Sequence, residues 1–175
     1  EPSPLLASLG SEHSAFVGYT HVETDARVVA IIKDGQLVES AHAGDQVDIV
    51  LDVTPFYPEG GGQLGDRGVL RGQNGLVRVL DTQAQGGAIV HRCEVVEGEV
   101  RLYDTVDAEV DLRWREGAAR HHTATHMLHA ALRQILGPHV RQQGSLVAPD
   151  RLRFDFTHLE ATPREALREV QSLVN

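Results

Sequence analysis

The chain has 175 residues, 41% apolar and 23% charged, with a formal net charge of −9; this is ordinary globular composition, sufficient for one or two domains with a core of their own. It contains no apolar run able to span a bilayer and no basic-then-apolar leader, and its single cysteine, Cys93, excludes an intramolecular disulfide, so a reducing, cytoplasmic location is expected. Net acidity argues against a polyanionic partner, but Arg113 to Arg153 holds seven arginines against Glu116 and Asp150, which leaves fourteen net negative charges for the remainder; such a stretch is either a basic working face or a chance cluster on a solvated surface.

In chain order, residues 1–11 read as a linker or upstream tail, and the first residue is Glu rather than Met, as expected of a piece of a longer or processed chain. Residues 12–111 read as a β-rich subdomain. Arg27 to Lys33 is a β-branched run followed by Asp34-Gly35 and then Gln36 to Ala41, a hairpin signal. Gln46 to Val53 alternates Val47, Ile49, Leu51 and Val53 with polar neighbours, as a half-buried strand does. Further strands are expected over Gly68 to Gly72, Leu76 to Thr82, Ala88 to Val95 and Thr105 to Asp111. Short strands separated by Gly, Asp and Asn turns point to a small barrel or sandwich.

The period then changes. Trp114 to Leu136 lacks internal proline and stops at Gly137-Pro138, with Gly117 expected to delay the helix start. Leu128, Ala131, Leu132, Ile135 and Leu136 form its apolar stripe. Arg151 to Phe156 alternates as a strand, and Thr162-Pro163-Arg164-Glu165 resembles a capping box with proline at the first helical position. The helix it opens keeps Leu167, Val170, Leu173 and Val174 in phase up to Asn175. The expected fold is thus α+β. A small barrel-like subdomain is followed by residues 112–175, the start of an α/β subdomain built on a long helix.

Three segments carry chemistry. His122-Thr-Ala-Thr-His126 places two imidazoles one turn apart on one helix face, within reach of a single ion, and His129 and Arg133 continue that face. The pattern lacks the glutamate of the metalloprotease motif, and two histidines do not complete a zinc shell. The other candidate ligands are Cys93, His129, His139 and His158, unless the missing ligands lie past Asn175. The alternative is a solvated histidine stripe. Pro55 to Gly68 holds Gly60, Gly61 and Gly62 in a row, then Gln63, Gly65 and Gly68. It is neither a P-loop nor a dinucleotide fingerprint; it reads as a tight inter-strand loop, or as a loop whose amides line a pocket. Arg141-Gln142-Gln143-Gly144-Ser145 offers amides that either meet an RNA end or face solvent.

Taken together and in order, the stretches LDVTPFYPEGGGQLGDRG, HHTATHMLHAALRQILGPHVRQQGSLVAPDRLRFDFTH and GYTHVETDARVVAI resemble the editing region of alanyl-tRNA synthetases, a region shared with free-standing alanyl-tRNA editing hydrolases. The resemblance covers nearly the whole chain after residue 12. It implies a zinc-dependent editing subdomain over 112–175, with His122 and His126 as two zinc ligands and a Cys-x-x-x-His pair, absent from this sequence, as the others. It implies Thr125 as the residue that reads a hydroxyl and Gln142 as the editing glutamine. Gly60, Gly61, Gly62 and Gln63 fall on the family's loop beside the site, and Arg133 and Arg141 are expected to meet the tRNA. The implied partner is the 3′ end and acceptor stem of tRNA(Ala). The implied reaction is hydrolysis of mischarged Ser-tRNA(Ala) and Gly-tRNA(Ala), with this piece alone expected to be inactive. ATP and magnesium would serve only an aminoacylating part of the parent that lies elsewhere. Three other readings stand beside this one: a piece of a free-standing alanyl-tRNA editing hydrolase, a tRNA-binding module without chemistry, and a purely structural domain.

Overall fold

The computed structural model describes residues 14–174, so the tail expected over residues 1–11 lies outside the described residues. These divide into two compact units. The first holds the described residues up to Gly60 together with Leu64–Arg115; the second holds Gly61–Gln63 and the described residues from Glu116 onward.

The first unit is a closed six-stranded barrel. The unit's ten described strands, six of which close the barrel, are β1 (Ala15–Phe16), β2 (Glu23–Lys33), β3 (Gln36–Leu37), β4 (Ser40–His42), β5 (Gln46–Leu51), β6 (Val53–Thr54), β7 (Gly68–Gly72), β8 (Gly75–Gln85), β9 (Ala88–Arg101) and β10 (Thr105–Val110). The order β10-β7-β8-β9-β5-β2 closes on itself because β10 also pairs with β2, Val106 opposite Ala26 and Ala108 opposite Thr24. All six neighbours are antiparallel. Closure removes the two exposed edges an open sheet would present. Inward positions follow the two-residue period: Val47, Ile49 and Leu51 on β5, and Val77 and Val79 on β8, join Phe56 and Leu70 in one buried cluster. The hairpin expected at Asp34-Gly35 forms, with Lys33 opposite Gln36, and both turn residues have positive φ (51° and 77°), as a type I′ turn requires. The strand expected over Gln36 to Ala41 is broken into β3 and β4, because β4 leaves its hairpin partner to pair with the far end of β9.

One of the candidate ligands lies inside the barrel. Cys93 is buried in the core, its thiol donating to the His91 carbonyl, and burial pushes its pKa up; it is not available as a metal ligand. His91 is fully buried. Its Nδ1 lies 2.8 Å from the Ile49 carbonyl, which can only accept, so Nδ1 carries the proton. Nε2 then accepts from the Thr54 hydroxyl at 2.8 Å, while that hydroxyl accepts from the Phe56 N–H. In this neutral form both ring nitrogens and the Thr54 hydroxyl proton have partners, and desolvation lowers the His91 pKa to about 4, against an upward pull from the Ile49 carbonyl.

The first unit also contains the first turn of α1 (Leu112–Leu136). The helix begins two residues before the expected Trp114. Asp111 caps it: its Oδ1 accepts the Trp114 N–H at 3.1 Å, and its carbonyl accepts the Arg115 N–H. Gly117 does not delay the start. It is buried in the second unit, where a Cβ would sit 2.6 Å from Pro149 Cβ. Arg115 belongs to a buried ion pair rather than to a basic face. Its Nε and Nη2 both donate to Asp66 Oδ2, Nη1 donates to the Gly18 carbonyl and Nη2 also to the Pro55 carbonyl. The Asp66 side chain is 1% exposed, and its Oδ2 also accepts the Tyr57 N–H at 2.7 Å.

In the second unit, α1 continues to Leu136 and ends at Gly137 (φ 114°), whose N–H caps the Arg133 carbonyl. The antiparallel pair β11 (Gln142–Val147) and β12 (Leu152–Phe156) follows, then α2 (Arg164–Val174). Ala131, Leu132, Val140 and Val170 form the core, with Leu128, Ile135, Leu136, Phe154, Phe156 and Val174 packed on it. Leu167 and Leu173 stay about half exposed. The α2 start differs from the expected capping box: the Pro163 carbonyl accepts the Leu167 N–H, and no side-chain cap from Thr162 or Glu165 is among the described hydrogen bonds.

Two stability outcomes are expected. Below its unfolded pKa of 6.5, His91 binds a proton more readily in the unfolded chain than in the barrel. Stability is therefore fully present above pH 6.5 and falls as pH drops towards 4, by about 3 kcal/mol at 1.36 kcal/mol per pH unit. Urea unfolding at pH 7 and pH 4.5 measures this, and His91→Gln should flatten that part of the profile. Arg115→Ala strands a buried carboxylate and should cost about 3–5 kcal/mol; thermal melts that match the parent chain would refute the keystone role given to this pair.

Candidate functional site

The second unit holds the histidine pair. His122 and His126 project from successive turns of α1, their ring centroids 4.7 Å apart and nearly perpendicular at 83°. Neither is buried. Imidazole nitrogens so placed suit a borderline-soft cation such as zinc, and they supply two of the three or four protein ligands it takes. No third His, Cys, Asp or Glu joins them among the described residues. The other histidines have different work. The His129 ring packs on Phe154, centroids 5.4 Å apart, and its Nε2 is buried without a hydrogen-bond partner. His139 and His158 stack on each other, Nε2 to Nδ1 at 2.9 Å.

Thr125 precedes His126 and is 5% exposed. Its hydroxyl donates to the His121 carbonyl one turn back at 2.8 Å. This is the backbone-bonded state of a helical threonine, and it has a chemical consequence: with its proton committed inward, the oxygen can serve a further partner only as an acceptor.

The glycine-rich stretch is divided. Gly60 belongs to the first unit, whereas Gly61, Gly62 and Gln63 belong to the second. There the Val147 N–H donates to the Gly62 carbonyl at 3.0 Å, and Gln63 forms a parallel bridge with Val147. Gly61 and Gly62 have φ of 59° and 83°, the left-handed region that favours glycine. Gln142 opens β11 and is exposed, its Nε2 donating to Ser145 Oγ at 2.9 Å. The Arg141 N–H donates to Thr157 Oγ1, and its exposed side chain makes no hydrogen bond among the described residues. Arg133 reaches the Val140 carbonyl at 3.3 Å.

The structure thus joins the predicted residues into two sets: His122, Thr125 and His126 along α1, and Gly61, Gly62, Gln63 and Gln142 along β11. Among the described hydrogen bonds, none connects the sets. Sequence reasoning missed Ser145, which lies in the RQQGS run but carries no spacing signal, and the Asp66–Arg115 pair, whose partners are 49 residues apart.

Residues 5–114 match the family described as tRNA synthetases class II (A). The chain is 49% identical over 171 residues to the alanine–tRNA ligase of a Thermoanaerobacter species, an alignment covering 98% of this chain and 20% of that protein. It is 48% identical over 163 residues to the alanine–tRNA ligase of Bacillus subtilis, covering 93% and 19%. It is 49% identical over 163 residues to that of Nitrosococcus oceani, covering 91% and 19%. The chain spans about a fifth of the length of these relatives.

Thr125→Val keeps the β-branched shape and removes a hydroxyl whose only described partner is a backbone carbonyl. It should change unfolding free energy by about 1 kcal/mol or less, measured by chemical denaturation. A larger loss would mean that Thr125 is a structural residue.

Proposed function

Because this chain belongs to the class II (A) tRNA synthetases, we propose that it is part of the editing region of an alanine–tRNA ligase, and that the site on α1 serves hydrolysis of serine, and of glycine, wrongly esterified to tRNA(Ala). The observation that carries the reading is the His122–Thr125–His126 cluster. Two imidazoles one turn apart share a helix with a threonine, next to the second of them in sequence, whose hydroxyl proton is turned inward.

Serine is alanine with one added hydroxyl, and an activation pocket shaped for alanine rejects such an analogue weakly. A second site that bonds the hydroxyl selects the error instead. Thr125 has the right polarity for this, since its oxygen accepts from the seryl O–H. An alanyl ester brings no side-chain donor, and the unpaired acceptor costs about 1–3 kcal/mol. In the hydrolysis, water adds to the acyl carbon, the ester bond to the terminal ribose breaks, and serine and a free ribose hydroxyl result. His122 and His126 would hold zinc together with ligands supplied elsewhere in the full-length protein. When bound, that ion supplies a fixed positive charge which orients the 3′ end and polarises oxygen atoms near it. Gln142 presents its free amide atoms to the ester, and Arg141 offers an unpaired guanidinium to RNA phosphate.

The remaining parts of the reading concern the whole protein. It would join alanine to tRNA(Ala) with ATP and magnesium in parts outside this chain, and act in the cytoplasm. No helix among the described residues is long and apolar enough to cross a membrane.

The test is deacylation of Ser-tRNA(Ala) by the full-length protein. His126→Ala should slow it at least tenfold. Thr125→Val should reduce the preference for seryl over alanyl ester by about 5- to 150-fold, the equivalent of 1–3 kcal/mol. If both variants hydrolyse the seryl ester at the parent rate, the editing assignment is wrong. tRNA binding that weakens with salt but shows no ester cleavage would favour a binding-only module.

A further inference from the structure

Gln142 and Ser145 are three residues apart on one strand. In a regular strand side chains alternate between faces, so residues i and i+3 point to opposite sides. Here their side chains meet at 2.9 Å. The register explains it. Ser145 pairs with Phe154 and Gly144 with Asp155, but Gln142, not Gln143, pairs with Phe156. Gln143 is an extra residue, a β-bulge, and it reverses the parity of Gln142 so that both side chains lie on one face.

A second feature holds the other side of Ser145. A Cβ built on Gly62 would lie 2.2 Å from Ser145 Oγ and 3.5 Å from Ser145 Cβ. A Cβ on Gly62 would therefore have to push the Ser145 hydroxyl out of the position in which it meets Gln142. The loop cannot back away freely, because the Gly62 carbonyl accepts from Val147 and Gln63 bridges to Val147 on the same strand. Gly62 also has φ +83°, so a substituent there is strained as well as obstructed.

We infer that Ser145 is a positioning residue for Gln142: its hydroxyl, in the space that the missing Cβ of Gly62 leaves open, accepts one N–H of the Gln142 amide and so turns Oε1 and the second N–H of that amide towards the ester. The bulge brings the two side chains to one face, the hydroxyl sets the amide orientation, and the glycine leaves the hydroxyl the room this position needs. This gives the consecutive glycines a specific task, since one of them must lack a Cβ for the glutamine to be oriented. The inference rests on the role given to Gln142 in the proposed function, and it is silent about zinc.

The experiment is a double-mutant cycle on Ser-tRNA(Ala) deacylation in the full-length protein, read beside the Gln142 side-chain amide resonances of the 175-residue chain. Ser145→Ala should lower kcat roughly two- to tenfold, the range of one lost hydrogen bond, with KM little changed. In a Gln142→Ala background the same substitution should cause no further loss, because its effect passes through the amide. Gly62→Ala should reproduce the Ser145→Ala phenotype. The two Gln142 amide proton signals should move towards the values of a free glutamine in Ser145→Ala and in Gly62→Ala. If Gln142→Ala slows the reaction but Ser145→Ala adds to it independently, or leaves both the rate and the amide signals unchanged, the positioning role is refuted and the editing assignment stands. If Gln142→Ala works at the parent rate, the role of Gln142 falls and this inference falls with it.

Discussion

Asp66 is a carboxylate almost wholly withdrawn from solvent, and the first unit is organised around the cation that answers it. Arg115 spends its guanidinium on Asp66 and on the carbonyls of Gly18 and Pro55. One side chain thereby ties two loops, the β1–β2 connection at Gly18 and both ends of the β6–β7 connection at Pro55 and Asp66, to the first turn of α1. Nearby, the Trp114 indole donates to the Gly65 carbonyl at 3.0 Å, and the Arg67 guanidinium lies 3.7 Å over its ring. With Asp111 as cap, the start of the helix is held by a backbone cap, an ion pair and an aromatic stack. A buried pair of this kind adds little net stability over apolar packing, but it tolerates few alternatives, because an unmatched partner is left charged in a low dielectric. Its contribution is to hold the loops and the helix start in one arrangement.

The histidines show how far residue type alone underdetermines role. His91 sits in the barrel with both nitrogens matched to fixed partners, which holds it neutral and removes it from chemistry. His129 is on the same helix as the candidate ligands, yet its ring is packed on Phe154. His122 and His126 have unburied rings in mutual contact on one helix, whereas the His139 and His158 rings are hydrogen-bonded to each other. A spacing of four on a helix is a statement about direction; burial and partners then decide which directions are usable. The charge reading changes for the same reason. Two of the seven arginines in the basic stretch belong to the barrel unit, and one of these, Arg115, is consumed by an ion pair.

The proposed proofreading chemistry asks little of this chain in the way of acid–base catalysis. Its demands are geometric: an acceptor with its proton turned away, an amide of fixed orientation, and a backbone close enough to hold that amide in place. Hydroxyl polarity at Thr125 and amide orientation at Gln142 are set by single hydrogen bonds to neighbours three or four residues away. Such short-range supports aim the polar atoms whether the residue is buried, as Thr125 is, or exposed, as Gln142 is.

Features governed by neighbours a few residues apart were legible in the sequence. The turn at Asp34-Gly35, the alternation through Val47, Ile49 and Leu51, the helix stop at Gly137 and the HxxxH spacing all follow from φ preferences and local period. The Asp111 cap was equally local and was overlooked in favour of Gly117. What required the tertiary structure is non-local. Barrel closure depends on β10 finding β2, the Asp66–Arg115 pair spans 49 residues, and Cys93 became core because β5 and β8 flank it. The meeting of Gln142 with Ser145 depends on one unpaired residue in a strand register. Composition and period specify which way a side chain leans along its own element; which partner it meets is decided only when distant segments pair and exclude water between them.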